Sequence, residues 1–305
     1  MKKRFYSNGK LLVTGEYLVL DGAQSLALPT TFGQDLVVEN GTNKVIHWKS
    51  YNADRSIWFE DTIPFNVIQN NHLPVNEPVK ATLVKILYES WLLNPHFLDH
   101  SEGFSVNTHL TFPRLWGLGT SSTLINNVAQ WFGIDAFELL RNSFGGSGYD
   151  IACAQHNTPI LYQLKGGKPN VTAIDFHPEF TKNIYFVYLN QKQNSKTAIA
   201  AYKSKQHRLA SILPEIDAVT HTVSTTSSFE VFQSALQSHE VIVSAVIDTP
   251  TIQSVLFNDF PGIIKSLGAW GGDFVMAVSD KDPTGYFKTK GFLTILTYKE
   301  MILYS

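Results

Sequence analysis

The spacing of apolar and polar positions predicts most of the elements of this chain. Val79, Leu83, Ile86, Leu87 and Trp91 recur at helical spacing and predict a helix over Pro78 to Leu93. Leu124, Ile125, Val128, Ala129, Trp131 and Phe132 predict another, led in by a strand over Phe104 to Phe112 that alternates for part of its length. A shorter helix follows near Asp135 to Arg141. In the second half, Ile184 to Leu189 reads as a strand and Ser204 to Val223 and Ser228 to Ala245 as helices. Asp273 to Ser279 and Gly291 to Tyr298 read as late strands. The N-terminal pattern predicts a strand over Lys3 to Tyr6, a turn at Ser7-Asn8-Gly9 and a strand over Lys10 to Thr14. Further strands are expected at Leu26 to Leu28, Asp35 to Glu39 and Val45 to Lys49, separated by Gly, Pro and Asn turns. Strands dominate the first half, and a helix pair followed by strands fills the second, which is α+β rather than a doubly wound sheet. Turn residues at Gly166-Gly167-Lys168-Pro169-Asn170 and His177-Pro178 place the expected boundary between an N-terminal domain, 1–175, and a C-terminal domain, 176–305.

Composition narrows the classes. The chain has 305 residues, enough for two domains, with 44% hydrophobic and 16% charged residues, so a sizeable core is expected. A formal net charge of −2 gives no reason to expect nucleic acid or an anionic membrane as partner. The single cysteine, Cys153, lies between Ala152 and Ala154 and is expected to be a small buried filler; no internal disulfide or thiolate metal cluster can form. Met1-Lys-Lys-Arg4 has the charge of a signal peptide, but Asn8, Lys10 and Glu16 break the apolar stretch that follows. No apolar run approaches the ~20 residues that span a bilayer, so a soluble, cytoplasmic protein is expected.

The stretch Pro113-Arg114-Leu115-Trp116-Gly117-Leu118-Gly119-Thr120-Ser121-Ser122-Thr123 carries the most chemistry. It places two glycines and a hydroxyl cluster between a strand and a helix. Helix N-termini expose unpaired N–H groups and the positive end of the helix dipole, which suits a polyphosphate. The same order also begins ordinary helices with a Thr or Ser cap. Neither the Walker P-loop pattern nor the third glycine of the dinucleotide fingerprint is present.

Three more glycine clusters carry charge or hydroxyls. They are Gly9-Lys10 to Gly15-Glu16-Tyr17, then Gly145-Gly-Ser147-Gly148-Tyr149-Asp150, then Lys265-Ser-Leu-Gly268-Ala-Trp270-Gly271-Gly272-Asp273. With the 113–123 loop they resemble, in order, the signature motifs of the GHMP kinases, the superfamily of galactokinase, homoserine kinase, mevalonate kinase and phosphomevalonate kinase. Gly-Glu-Tyr, Gly-Ser-Gly-aromatic-Asp and Gly-Gly-Asp are most similar to phosphomevalonate kinase, with mevalonate kinase second. Trp270 stands where the family usually has a small residue, and Asn8 where it usually has proline.

The resemblance implies a two-domain α+β fold, with a ribosomal protein S5 domain 2-like N-terminal domain and a ferredoxin-like C-terminal domain. It implies ATP and Mg2+ as cofactors and phosphoryl transfer to a small-molecule acceptor, in a monomer or homodimer. Gly117, Leu118, Gly119, Thr120, Ser121 and Ser122 would hold the phosphates, with Ser121 and Glu138 toward magnesium. Asp150 would orient or deprotonate the acceptor and Lys10 would pair with it, although Asp150 also suits the start of a helix at Ile151. Tyr17, Ser147, Gly148, Lys196, Thr197, Gly271 and Gly272 would face the acceptor. Arg114, Arg141 and Lys192 are further cations for an acceptor phosphate. A non-catalytic sensor and a decarboxylase of the same superfamily remain alternatives.

Overall fold

The computed structural model describes residues 2–191, 199–200, 202–204, 209–268, 270 and 272–304. The chain is α+β and divides into two compact units that interleave in sequence. The first takes Met1–Gly9, Phe32–Arg114 and Leu118–Gln155; the second takes Lys10–Thr31, Leu115–Gly117 and His156–Ser305.

Strands β1 (Lys2–Leu12) and β2 (Ser25–Asn40) pass from one unit into the other along the chain. In the first unit β3 (Val45–Tyr51) pairs antiparallel with β4 (Ile57–Pro64) and parallel with β5 (Phe104–Leu110). β5 also pairs antiparallel with the Gln34–Asn40 part of β2. Helices α1 (Pro78–Leu93), α2 (Thr120–Phe132), α3 (Ala136–Ser143) and α4 (Tyr149–Gln155) cover this sheet segment, with a five-residue helix at Phe65–Gln69 beside them. Pro78 opens α1, where its missing N–H leaves no helical bond unmade. Leu83, Ile86 and Leu87 of α1 and Ile125, Val128 and Phe132 of α2 join Leu36 and Val106 in one core cluster.

Two turn expectations are overturned. β1 runs unbroken through Ser7-Asn8-Gly9. Ser7 is buried, its hydroxyl donating to Asn127 Oδ1 at 2.8 Å and accepting from Asn126 Nδ2 at 2.8 Å. Such partners satisfy a polar side chain inside a strand, which local propensity does not foresee. β2 likewise joins two expected strands through Pro29 and Gly33. Pro29 lies between Ala27, the last residue paired with β6 (Ile160–Lys165), and Gln34, the first paired with β5, so its missing donor breaks neither ladder. At Gly33 a Cβ would fall 2.3 Å from the Ser7 carbonyl oxygen, so the glycine permits a close backbone crossing.

In the second unit β6 forms a hairpin with β7 (Lys168–Ala173) and pairs with Ser25–Ala27 of β2. A separate antiparallel sheet uses β8 (Ile184–Tyr188), β9 (Ile263–Ser266), β10 (Phe274–Val278) and β11 (Ile295–Thr297), in the order β11-β8-β10-β9. Helices α5 (Leu209–Thr225) and α6 (Phe229–Ile247) pack on each other, and Ser228 caps α6 by accepting from the Val231 N–H at 3.3 Å. The last expected strand is cut short at Thr297. There Thr297 and Glu300 form a reciprocal capping box that starts a helix instead. Cys153 is buried. No helix among the described residues is long and apolar enough to cross a membrane.

Candidate active site

Four hydroxyl residues, Thr120 to Thr123, stand in a row at the start of α2, and the fold gives them different work. Gly119 precedes the helix at φ 99° and offers no side-chain cap. Ser122 is buried and donates to the Gly119 carbonyl at 3.0 Å. Thr123 donates to Gln34 Oε1 at 2.7 Å and also lies within reach of the Gly119 and Thr120 carbonyls. Ser121 is exposed, and its hydroxyl has no partner among the described residues. Of the four, Ser121 is the exposed one at the mouth of the helix, Thr120 being half-buried and Ser122 and Thr123 buried.

A cavity of about 330 Å3 opens beside this mouth, within the size range of ligand pockets. Thr120 and Ser121 form one part of its wall, and Trp58, Val79, Leu83, Ile86, Leu124 and Phe144 supply an apolar remainder. Trp58 lines the cavity, and its indole N–H is buried and has no hydrogen-bond partner among the described residues. The Arg114 guanidinium stacks 4.4 Å above the same indole ring. Apolar walls, one unpaired donor and a helix N-terminus suit a flat heterocycle with an anionic tail. Sequence reading assigned Trp58 no role, since a tryptophan in a strand is unremarkable until its N–H is left unpaired.

In the second unit, three distant segments meet. The Lys10 ammonium donates to the Gly117 carbonyl at 3.0 Å. Gly117 has φ 69°, and a Cβ there would lie 2.2 Å from Asp273 Oδ2, so both backbone and space demand glycine. The Asp273 backbone is held on both sides: its N–H donates to the Gln191 carbonyl at 2.7 Å, and its carbonyl accepts from Leu189 at 2.8 Å. Trp116 packs edge-on against Phe274 at 5.3 Å. Lysine of the first glycine motif, glycine of the second and aspartate of the third are thus neighbours. Sequence reading gives Asp273 no role beyond its place in the third motif.

Asp150 lies in the first unit, half-buried in the first turn of α4, with its Oδ1 accepting from the Ile151 N–H at 3.1 Å. Ser147 and Gly148 immediately precede it, Gly148 buried at φ 89°. Lys10 belongs to the second unit. Glu138 sits in the first turn of α3, where a negative charge favours the helix N-terminus. Among the described residues no group of three or more His, Cys, Asp or Glu could hold a metal ion. Magnesium carried on a triphosphate needs only one or two protein oxygens, and the outward Ser121 hydroxyl fits that demand.

Tyr17 is nine-tenths buried, its ring 5.5 Å from that of Tyr202, in a cluster that includes Leu18, Val243 and Trp270. Trp270 is 5% exposed and donates from its indole to the Pro250 carbonyl at 3.3 Å, so its bulk is turned into the core. Gly272 is buried; Arg141 is exposed. Lys192, Lys196, Thr197 and Gly271 lie outside the described residues.

Beside Tyr17, Glu16 and Lys265 are fully buried with Oε1 and Nζ 2.6 Å apart. Glu240 Oε1 lies 3.2 Å from the same ammonium, and His239 Nε2 lies 3.3 Å from Glu16 Oε2. Burial pushes the Glu16 carboxyl up to about 7, against the pull of Lys265. Burial also raises Glu240, and burial with the Lys265 charge holds His239 well below its ordinary value. Burial opposes the Lys265 ammonium too, but the two carboxyls outweigh it and its pKa is raised.

Comparison with protein-family models finds no match to the chain, and comparison with curated proteins finds none either. Solved structures do match along its whole length. The mevalonate kinase of Methanococcus jannaschii is 16% identical with a TM-score of 0.73, over 100% of this chain and 99% of that one. The Streptococcus pneumoniae phosphomevalonate kinase, in complex with phosphomevalonate and AMPPNP, is 15% identical with a TM-score of 0.70, over 97% of this chain and 99% of that one. A mevalonate diphosphate decarboxylase from Legionella pneumophila is 12% identical with a TM-score of 0.60, over 97% of this chain and 100% of that one.

Proposed function

We infer, from a chain that has the fold of the GHMP kinases, that this protein is an ATP-dependent small-molecule kinase, with phosphomevalonate as the acceptor we favour and mevalonate as the alternative. One observation carries the reading: a 330 Å3 apolar cavity that ends at the N-terminus of α2 with an outward, unpartnered Ser121 hydroxyl. The fold alone does not choose the reaction, because kinases and a decarboxylase share it.

Phosphoryl transfer asks a protein chiefly to align reactants and offset charge. The apolar wall of the cavity would hold the nucleobase of ATP, and the first-turn N–H groups of α2 with Thr120 would hold its phosphates. Ser121 would ligate magnesium, which when bound neutralises phosphate charge. Lys10 would place positive charge beside the Gly117 loop. Asp150 would orient the acceptor oxygen and accept a proton where that acceptor is a hydroxyl. The Gly-Glu-Tyr and Gly-Ser-Gly-Tyr-Asp motifs favour the phosphorylated acceptor over mevalonate.

The burial of Tyr17 favours a second reading, a nucleotide-binding sensor, since a side chain expected to face an acceptor is packed against Tyr202. ADP release from Mg-ATP in the presence of phosphomevalonate, mevalonate, diphosphomevalonate, galactose or homoserine separates the two. We expect ADP formation that depends on phosphomevalonate. ATP binding without acceptor-dependent ADP release would leave the sensor and remove the kinase.

A further inference from the structure

The buried cluster behind Tyr17 takes no part in the chemistry above, and the contact between Glu16 and His239 is a hydrogen bond only if one extra proton is counted. The Gly15 N–H donates to His239 Nε2 at 2.8 Å, so that nitrogen is an acceptor and the ring proton sits on Nδ1, which is buried without a partner among the described residues. Glu16 Oε2 lies 3.3 Å from the same Nε2. As a carboxylate, it would oppose one lone pair with another in a site shut off from water. Glu16 Oε2 is in fact buried with no hydrogen-bond partner among the described residues, as is Glu240 Oε1. Lys265 supplies one positive charge to two carboxyls, donating to Glu16 Oε1 at 2.6 Å and also to the Ser266 carbonyl. Glu240 keeps one other partner, accepting from the Ser266 hydroxyl at 2.9 Å. One ammonium and two carboxylates would leave a net negative charge in the core, which burial strongly disfavours.

We propose that Glu16 is a positioning residue held as the neutral acid, its Oε2 hydrogen sharing the His239 Nε2 lone pair with the Gly15 N–H while its Oε1 accepts from Lys265. The turn that this proton secures is strained. Tyr17 stands at φ 65°, ψ −50°, and the Leu18 N–H donates to the Glu16 carbonyl at 2.8 Å, which is a γ-turn of the rare, strained hand. Such a turn persists only where its surroundings over-determine it. Here Gly15 is fastened to α6 through His239, and Glu16 to β9 through Lys265, immediately before Tyr17. The charged and titratable groups facing Glu16 are therefore Lys265 of β9 and His239 and Glu240 of α6, with the Trp270 ring 5.7 Å from the same ammonium. The burial that lifts Glu16 to about 7 acts in the same sense.

Two measurements on the full chain test this, and neither needs turnover, so they stand or fall apart from the kinase reading. In protein labelled with 13C at the glutamate carboxyls, one resonance should titrate with a midpoint near 7 rather than near the ordinary 4.5, and should vanish in Glu16→Gln. If every glutamate titrates in the ordinary range, the proposal fails. The second measurement is the thermal midpoint against pH. Below about 4.5 both folded and unfolded chains carry the proton. Between there and about 7 only the folded chain keeps it, so stability falls as pH rises, and above about 7 the loss is complete. Glu16→Gln, whose amide donates where the acid does, should lack that fall, so its advantage over the wild type grows across the window. Glu16→Ala should be destabilised at every pH. A Gln variant as unstable as the Ala variant, or one with the wild-type pH dependence, would overturn the assignment.

Discussion

The mouth of α2 and the Glu16 cluster are both built from polar residues of glycine-marked motifs, yet one is left open and the other is closed. At α2 the Ser122 and Thr123 hydroxyls turn back to protein acceptors, and Ser121 faces outward beside a cavity. At Glu16, four titratable side chains are sealed together with exposures of 5% or less. The difference teaches where to look for chemistry within a motif. A ligand is held by groups the fold leaves unsatisfied at a cavity, while groups that satisfy one another hold the backbone that presents them.

The comparison can be tested by removing single groups from the two regions and from Asp150, the other residue assigned to chemistry. The largest effect is expected at Asp150, also outside the buried cluster. Asp150→Asn should lower turnover about 10²- to 10⁴-fold if it orients the acceptor. Because the amide oxygen can still accept from Ile151, the urea midpoint should stay near the wild type. A Tm drop with unchanged turnover would reverse its role. Lys265→Met should act oppositely, leaving the Glu240 carboxylate without its counter-ion and Glu16 Oε1 without its donor, and destabilising the protein by ~3–5 kcal/mol in urea unfolding. Near-wild-type stability would mean the cluster contributes nothing to the fold. The smallest and sharpest contrast lies within α2. Thr123→Val should destabilise by ~1–3 kcal/mol, because Gln34 Oε1 loses its buried donor. Ser121→Ala should stay within ~0.5 kcal/mol of the wild type while raising the KM for Mg-ATP about tenfold, as loss of a contact to a charged group does. Equal stability losses at both positions would erase the distinction between them.

Helices such as Pro78–Leu93 were legible because a 3.6-residue period is a local property that packing then uses unchanged. The glycine motifs were legible for a similar reason, since backbone freedom at Gly117 is a property of the residue itself. Ser7-Asn8-Gly9 misled because the groups that satisfy Ser7, Asn126 and Asn127, lie over a hundred residues away. Trp58 and the His239–Glu240 pair carried no signal at all. Each sits in an ordinary strand or helix and acquires meaning only from what is, or is not, opposite its polar atoms.

The amino-acid order by itself therefore determined the α+β class, most of the element periods and the four glycine-marked segments, of which the 113–123 loop was expected to hold a polyphosphate. Tertiary structure decided which of four adjacent hydroxyls faces outward, that Lys10, Gly117 and Asp273 are neighbours, and that Trp270 fills the core. The reason is physical: period and backbone freedom belong to the local chain. Burial, pairing and the protonation they impose depend on partners that only the folded chain brings together.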